Sequence, residues 1–228
     1  MALIAPSLLA ADFARLGAAL EVIKAAGAAM VHVDVMDGHF VPDLTVGQPV
    51  IQSLRKATEL LLDVHLLVER PERYAEEFVA AGADQLAVHA EATPNLHRVL
   101  ENIRARGAKA GVALNPATPV ETLADVLEEI DFLSILSADP AIPEGPFLPR
   151  SVSKIRAADR MRHEQRLDFA IEVEGGIGPQ QVEELIVAGA DILVAGSAIF
   201  STEDPTTRLQ EMVRQASSFR RTSRVLRT

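Results

Sequence analysis

Residues 80–90 read AAGADQLAVHA, and the order of residue types in that stretch sets the architecture. An alanine-rich helix end runs into Gly82, which suits the left-handed position just past a helix, and then into an apolar strand. The same phrase returns as AAGAAMVHVDV at 25–35 and as VAGADILVAGS at 187–197, and its marker glycines Gly27, Gly82 and Gly189 are 55 and 107 residues apart. Those spacings are close to two and four units of about 27 residues, each one strand plus one helix. Eight strand candidates fit the period: LIAPS from Leu3, VHVDV from Val31, LLDVHLL from Leu61, QLAVHA from Gln85, AGVALN from Ala110, FLSILS from Phe132, FAIEVEGG from Phe169 and ILVAGS from Ile192. Segments of helical period such as PERYAEEFVAAGA and PQQVEELIVAGA lie between them. Alternating β and α units at this length close most simply into a single (β/α)8 barrel of the α/β TIM-barrel class, with a doubly wound open sheet as the competing architecture.

The composition agrees with one large layered domain. Apolar residues make up 48% of the 228-residue chain while aromatic residues make up only 4%, so the interior is built from small and branched side chains. With no cysteine, disulfides and thiolate metal sites are excluded. No apolar run approaches the roughly 18 residues that span a bilayer, and no signal-peptide pattern is visible, so a cytoplasmic protein without a membrane partner is expected. The formal charge of −10 argues against a nucleic-acid binder, although backbone N–H groups can still hold a small phosphorylated substrate. The barrel is expected over residues 1–216; SSFRRTSRVLRT, residues 217–228, carries four arginines and reads as a solvated, disordered tail.

Polar residues interrupt this apolar pattern in specific places. In VHVDV, His32 and Asp34 share one face while Val31, Val33 and Val35 share the other. The valines satisfy the helix-facing side, so the histidine and the carboxylate point into the barrel, where burying them unpaired costs several kcal/mol. LLDVHLL repeats the anomaly with Asp63 and His65, and FAIEVEGG with Glu172 and Glu174. Strand C-termini converge on one pocket in a barrel, so His32, Asp34, His65 and Glu174 can meet there. Two imidazoles and two carboxylates suit a divalent ion, Zn²⁺ first and Fe²⁺, Mn²⁺ or Co²⁺ as alternatives, or a pair of acid/base groups. Carboxylates on strands two and seven approach a bound molecule from nearly opposite sides, as proton removal from one face of a carbon and return to the other requires. The turns EGGIGP at Glu174 and AGSAIF at Ala195 are candidate anion sites at the end of the barrel where phosphate is often held.

Long stretches of the chain resemble the ribulose-phosphate 3-epimerase family: IAPSLLAADFARLG, VHVDVMDGHFVPDLTVG, LDVHLLVERPERY, AGADQLAVHAEA, GVALNPATP and GADILVAGSAIF. The resemblance implies a metal-dependent isomerase that interconverts D-ribulose 5-phosphate and D-xylulose 5-phosphate by proton exchange at C3. It implies Asp34 and Glu174 as the two acid/base groups, both also binding metal with His32 and His65. Ser7 and His65 would touch the substrate, and Gly175, Gly176, Gly196 and Ser197 would hold its phosphate. It also implies a homo-oligomer.

The chain departs from the family pattern in two places. Glu174 stands where the family has aspartate, a change that moves the carboxylate by about 1.5 Å, and misplacement near 1 Å can cost about a hundredfold in rate. After strand six the family has Asn-Pro-Gly-Phe-Gly-Gly-Gln, whereas this chain has Asp139, Pro140, Ala141, Ile142, Pro143, Glu144 and Gly145. Pro143 has no N–H to offer a phosphate and Glu144 brings a like charge. These changes motivate a rival reading as an epimerase of another ketose or ketose phosphate, and a more distant one as a non-catalytic metal-binding paralogue. A decarboxylase with Asp-x-Lys-x-x-Asp on a strand is disfavoured because Met36 occupies the lysine position. Leu67 and Leu136 stand where the family has methionine, a near-isosteric change. His89 and Glu91 are expected to share a structural hydrogen bond, Asp37 and Gly38 to make a turn, and His97 and His163 to lie on the surface.

Overall fold

A computed structural model describes residues 2–142 and 145–219. Eight strands alternate with helices: β1 (Leu3–Pro6), α1 (Leu16–Ala25), β2 (Met30–Met36), α2 (Gln48–Ala57), β3 (Leu61–Leu67), α3 (Ala75–Ala80), β4 (Gln85–His89), α4 (Leu96–Ala105), β5 (Lys109–Leu114), β6 (Phe132–Leu136), α5 (Ser151–Glu164), β7 (Ala170–Glu174), α6 (Pro179–Ala188), β8 (Ile192–Ala195), the short α7 (Ser197–Phe200) and α8 (Pro205–Ser218). The strands form one parallel sheet in the order β1-β8-β7-β6-β5-β4-β3-β2. A further parallel bridge between Ser7 and His32 joins its two ends, so the sheet is a closed barrel and not the open competitor.

The marker glycines behave as the sequence requires. Gly27, Gly82 and Gly189 have φ of 78°, 116° and 131°, the left-handed region that ends a helix cleanly before the next strand. Side chains alternate as the period of two demands. Val31, Val33, Val35, Leu62, Val64, Leu66, Ile171 and Val173 pack outward against the helices in the main core. Met36, Leu67, Phe132 and Leu136 fill the barrel interior with Ala87 and Ala113. Truncating one of the fully buried leucines to alanine costs about 2–5 kcal/mol in such a core.

At the N-terminal end of the barrel a device recurs three times. Asp84, Asp131 and Asp191 each precede a strand and accept a hydrogen bond from a backbone N–H of the strand before it: Leu62 N at 2.7 Å, Ala110 N at 2.8 Å and Ile171 N at 2.9 Å. Each carboxylate also faces an arginine from a helix, Arg55 at 2.9 Å, Arg104 at 3.9 Å and Arg162 at 2.6 Å. Arg162 is the most buried of the three and also donates to Asp159, to the Phe169 carbonyl and to the Gly189 carbonyl.

Regular alternation fails once. Between β5 and β6 two 3-10 turns, Val120–Leu123 and Leu127–Glu129, replace a helix. Nothing in residues 120–129, which contain no proline or glycine, explains the loss of the helix, and Pro119 sits only at the N-cap of the first turn, where a missing N–H breaks no helical bond. Residues 220–228, most of the arginine-rich tail, lie outside the described residues, as do Pro143 and Glu144; α8 runs to Ser218, just past the expected end of the barrel.

Candidate active site

The inward parity of three strands builds the site. Register pairs His32 with Asp63 and Asp34 with His65 on β2 and β3, and Glu174 arrives as the last residue of β7. One donor atom from each of His32, Asp34, His65 and Glu174 joins a compact set whose members all lie within 4.8 Å of one another. Around it, His32 stands 3.2 Å from Asp34 and 3.4 Å from Glu174, and His65 stands 3.3 Å from Asp34 and 3.0 Å from Glu174. Tetrahedral N/O donors about 2.0–2.1 Å from a Zn²⁺ ion are spaced about 3.3 Å apart, so these four distances suit such an ion. Glu174 Oε2 is buried, and although His65 Nδ1 is near, the two are not aligned as a hydrogen bond. A buried carboxylate oxygen without a donor, facing two imidazoles, fits a cation at that point.

Outer contacts orient His32, Asp34 and His65. His32 Nδ1 lies 2.6 Å from Asp63 Oδ2, and Asp63 Oδ1 accepts from Gln85 Nε2 at 2.8 Å. A carboxylate behind an imidazole fixes which nitrogen faces the site. Ser7 Oγ donates to Asp34 Oδ2 at 2.9 Å, and Thr45 Oγ1 donates to the Asp34 carbonyl at 2.7 Å, tying the end of β2 to the loop that follows it. His65 Nε2 lies 3.0 Å from His89 Nε2, and His89 Nδ1 lies 3.0 Å from Glu91 Oε2.

Burial and charge set the protonation pattern. Burial alone lowers the pKa of His32, but Asp34, Asp63 and Glu174 overcome it and raise the group well above its ordinary value. His65 is likewise lowered by burial and then raised by Glu174 and Asp34, to about 10. Asp34 is raised by burial but held well below the usual carboxylate range by His32 and His65. Glu172 goes the other way: burial and the Asp63 carboxylate raise it well above the ordinary value. A proton on the imidazoles thus occupies the place a divalent cation would take.

Above this cluster opens a cavity of about 430 Å³, within the usual range for small-molecule sites. Asp34 and Glu174 line it, together with Ser7, Gly175, Gly176, Gly196 and Ser197. His32 and His65 are fully buried beneath its floor. Gly175 and Gly176 have φ of 108° and 65°, and a Cβ on either would press on the loop after β6, at 2.6 Å from Ala138 N and 2.5 Å from Phe147 N. Only glycine lets that turn lie against the loop. Ser137 Oγ fixes the turn by donating to the carbonyls of Glu174 and Gly175. Met36, Leu67, Leu136, Ile142 and Ile177 supply the apolar wall.

Known proteins resemble the chain at two levels. The family model described as the ribulose-phosphate 3 epimerase family matches residues 3–200. A ribulose-phosphate 3-epimerase of Bacillus subtilis is 43% identical over 210 residues, covering 92% of this chain and 97% of that relative. The chain belongs to the ribulose-phosphate 3-epimerase family. A second family member, the ribulose-phosphate 3-epimerase of Synechocystis, is 46% identical over 200 residues, covering 87% of each chain. Solved structures extend the fold alone: KGPDC from Streptococcus mutans matches with a TM-score of 0.69 at 14% identity, covering 96% of this chain and 98% of that one.

Within this epimerase family frame the two departures can be located. Glu174, despite its longer side chain, ends 3.0 Å from His65 Nδ1 and closes the donor set. Asp139, Pro140, Ile142 and Gly145 of the altered loop line the cavity mouth. Asp37 makes the expected turn, accepting from the N–H groups of His39 and Phe40, and His97 and His163 are exposed. Sequence reading misses Gln85, Ser137 and Thr45. Gln85 is visible by the same inward parity that exposes His32; Ser137 and Thr45 act through loop geometry that parity does not report.

Proposed function

We propose that this protein is a ribulose-phosphate 3-epimerase, exchanging the C3 proton between D-ribulose 5-phosphate and D-xylulose 5-phosphate. The observation that carries the reading is the convergence of Asp34 from β2 and Glu174 from β7 on one cavity, with Ser7 bonded to Asp34. One of the two carboxylates takes the C3 proton, and the electron pair moves to the adjacent carbonyl oxygen, leaving an enediolate. The other, entering the cycle protonated, delivers its proton to the opposite face, which inverts the centre. Loss of the proton from the first carboxyl to solvent and uptake of one by the second restore the starting protonation for the next turnover. Ser7 holds Asp34 in place for this step.

His32, Asp34, His65 and Glu174 would hold the divalent ion, with Zn²⁺ favoured by the nitrogen and oxygen donor set. Such an ion supplies Lewis-acid polarisation of the substrate carbonyl beside C3. The substrate phosphate is assigned to the backbone of Gly175, Gly176, Gly196 and Ser197, supported by the glycine-only turn and by the absence of any Lys, Arg or His among the cavity-lining residues. His65, fully buried, serves as ligand ahead of any contact with substrate. Asp139 at the mouth is the feature to test for another ketose.

Residues 1–216 are taken as the catalytic barrel, with the arginine-rich segment as an appendage. A cytoplasmic homo-oligomer is the matching cellular form: among the described residues no helix is long and apolar enough to cross a membrane, and Leu9, Phe13, Leu44 and Ile142 are exposed. The test is NMR in D₂O of ribulose 5-phosphate and other ketoses with protein stripped of metal and then reloaded with Zn²⁺, Fe²⁺, Mn²⁺ or Co²⁺. Metal-dependent C3 exchange fastest on ribulose 5-phosphate is expected; faster exchange on another ketose, or none on any, overturns the assignment.

A further inference from the structure

Behind His65 lies a chain of polar groups that the proton exchange does not use. His89, at the end of β4, is fully buried, its Nε2 is 3.0 Å from His65 Nε2, and the Phe40 ring covers it at 4.5 Å between centroids. Its other nitrogen, Nδ1, reaches Glu91 Oε2 at 3.0 Å. Glu91 is in turn clamped on its second oxygen, Oε1, by the Asn115 backbone N–H at 2.8 Å and by the Thr118 hydroxyl. This chain runs from the loop after β5 through β4 and ends at His65 on β3.

Hydrogen-bond direction along the chain is forced. Two ring nitrogens 3.0 Å apart share one proton. If Nδ1 of His65 offers its lone pair to a cation, the His65 proton sits on Nε2 and points at His89. His89 Nε2 must then accept, so its proton sits on Nδ1 and is donated to Glu91. The Asn115 N–H, a donor that cannot reverse, fixes Oε1 of Glu91 as an acceptor and leaves Oε2 to face His89.

We propose that His89 and Glu91 are positioning residues for His65: Glu91 sets the tautomer of His89, and His89 sets the tautomer of His65 so that Nδ1 faces the metal as a lone pair. The inference rests on the reading of His65 as a metal ligand.

The test compares two variants that separate shape from polarity. Glu91→Gln keeps the shape; its amide oxygen stays toward Asn115 N–H and Thr118, so its NH₂ donates to His89 Nδ1 and reverses every proton up to His65. Glu91→Asp shortens the side chain but keeps the acceptor. Zn²⁺ affinity is read by competition with a chromophoric chelator, and the ring tautomers by long-range ¹H–¹⁵N NMR of the Zn²⁺-loaded proteins. Zn²⁺ affinity should fall about 10- to 100-fold in Glu91→Gln and less in Glu91→Asp, the usual cost of losing an outer partner of a metal-bound histidine. Wild-type spectra should show His65 protonated on Nε2 and His89 on Nδ1. A purely structural role predicts the opposite order, because glutamine is the better fit to the space. Equal Zn²⁺ affinity in Glu91→Gln and wild type, or the other tautomers in wild type, overturns the relay alone; no Zn²⁺ binding by wild type overturns the metal site and the relay with it.

Discussion

The two ends of the barrel use charge in opposite ways. At the N-terminal end the three aspartates that precede β4, β6 and β8 each have a fixed cation: Asp84 faces Arg55, Asp131 faces Arg104 and Asp191 faces Arg162. At the C-terminal end Asp34 and Glu174 face imidazoles and the Ser7 hydroxyl, and among the described residues no Lys or Arg lines the cavity above them. The first arrangement is self-sufficient and holds strands together. The second is a deficit of positive charge in a buried place, which a protein retains only where something mobile, a proton or a cation, completes it. Substitutions at the mouth should therefore cost activity and spare stability, and substitutions at the floor the reverse.

Asp34→Asn is the largest expected effect. Asparagine keeps the shape and the bond from Ser7, but it cannot take a proton, so C3 exchange should drop by about a thousandfold or more. The metal-free variant should melt within a few degrees of wild type. Loss of fold with retained exchange would invert the contrast between the two ends.

Arg162→Met is the mirror image. The guanidinium holds Asp191 at 2.6 Å, Asp159 at 2.5 Å and the Phe169 carbonyl at 2.7 Å, and it is almost wholly buried. Its removal should cost about 2–4 kcal/mol, short of the figure for a fully buried pair because the two aspartates are partly solvated. Urea unfolding measures this, and kcat of the protein that remains folded should not change. A variant as stable as wild type would show that the floor is not held by its ion pairs.

This contrast was half visible in the sequence. The repeated Ala-Gly-Ala-Asp phrase gave the period and the helix ends, since Gly82 and Gly189 need a left-handed backbone that pattern alone can flag. The aspartates in the same phrase, Asp84 and Asp191, went unread: their partners Arg55 and Arg162 sit about 30 residues away on helices, and no local period links them. At the mouth, strand parity was enough to bring His32, Asp34, His65 and Glu174 together, because a barrel strand allows only two faces. It was not enough to find the link from His65 to His89, which depends on the rotamers of both rings, or the loss of a helix after β5.

Glu91 lies between the two regimes and gives a smaller, pH-dependent effect. Burial raises its pKa, but bonds from His89, Thr118 and Asn115 outweigh burial and hold it at about 2, below the ordinary 4.5. A depressed carboxylate adds stability that is fully present above about pH 4.5 and disappears as pH falls toward 2. The full shift corresponds to at most about 3 kcal/mol, reduced here because the side chain is 23% exposed. The stability advantage of wild type over Glu91→Gln should therefore shrink between about pH 5 and pH 2 in urea titrations of metal-free protein. A difference that stays constant over that range would mean that Glu91 is not held ionised by its neighbours.

The least effect expected is on the salt dependence of catalysis, and it bears directly on the missing cations. A phosphate clamp made of lysine or arginine draws its dianion in over long range, so raising the salt slows capture. Here Asp43 and Asp139 line the cavity, none of the described residues that line it is Lys, Arg or His, and the whole chain carries a formal −10. Screening should weaken repulsion instead of attraction. kcat/KM for ribulose 5-phosphate should thus hold steady or rise about two- to threefold between roughly 0.01 and 0.15 M salt. Asp139→Asn should flatten the rise, because it removes a like charge that the altered loop places on the cavity wall. A steep fall of kcat/KM with salt would mean that a cation outside this set of lining residues reaches the phosphate, and the mouth would then be charged by the same fixed pairing as the floor.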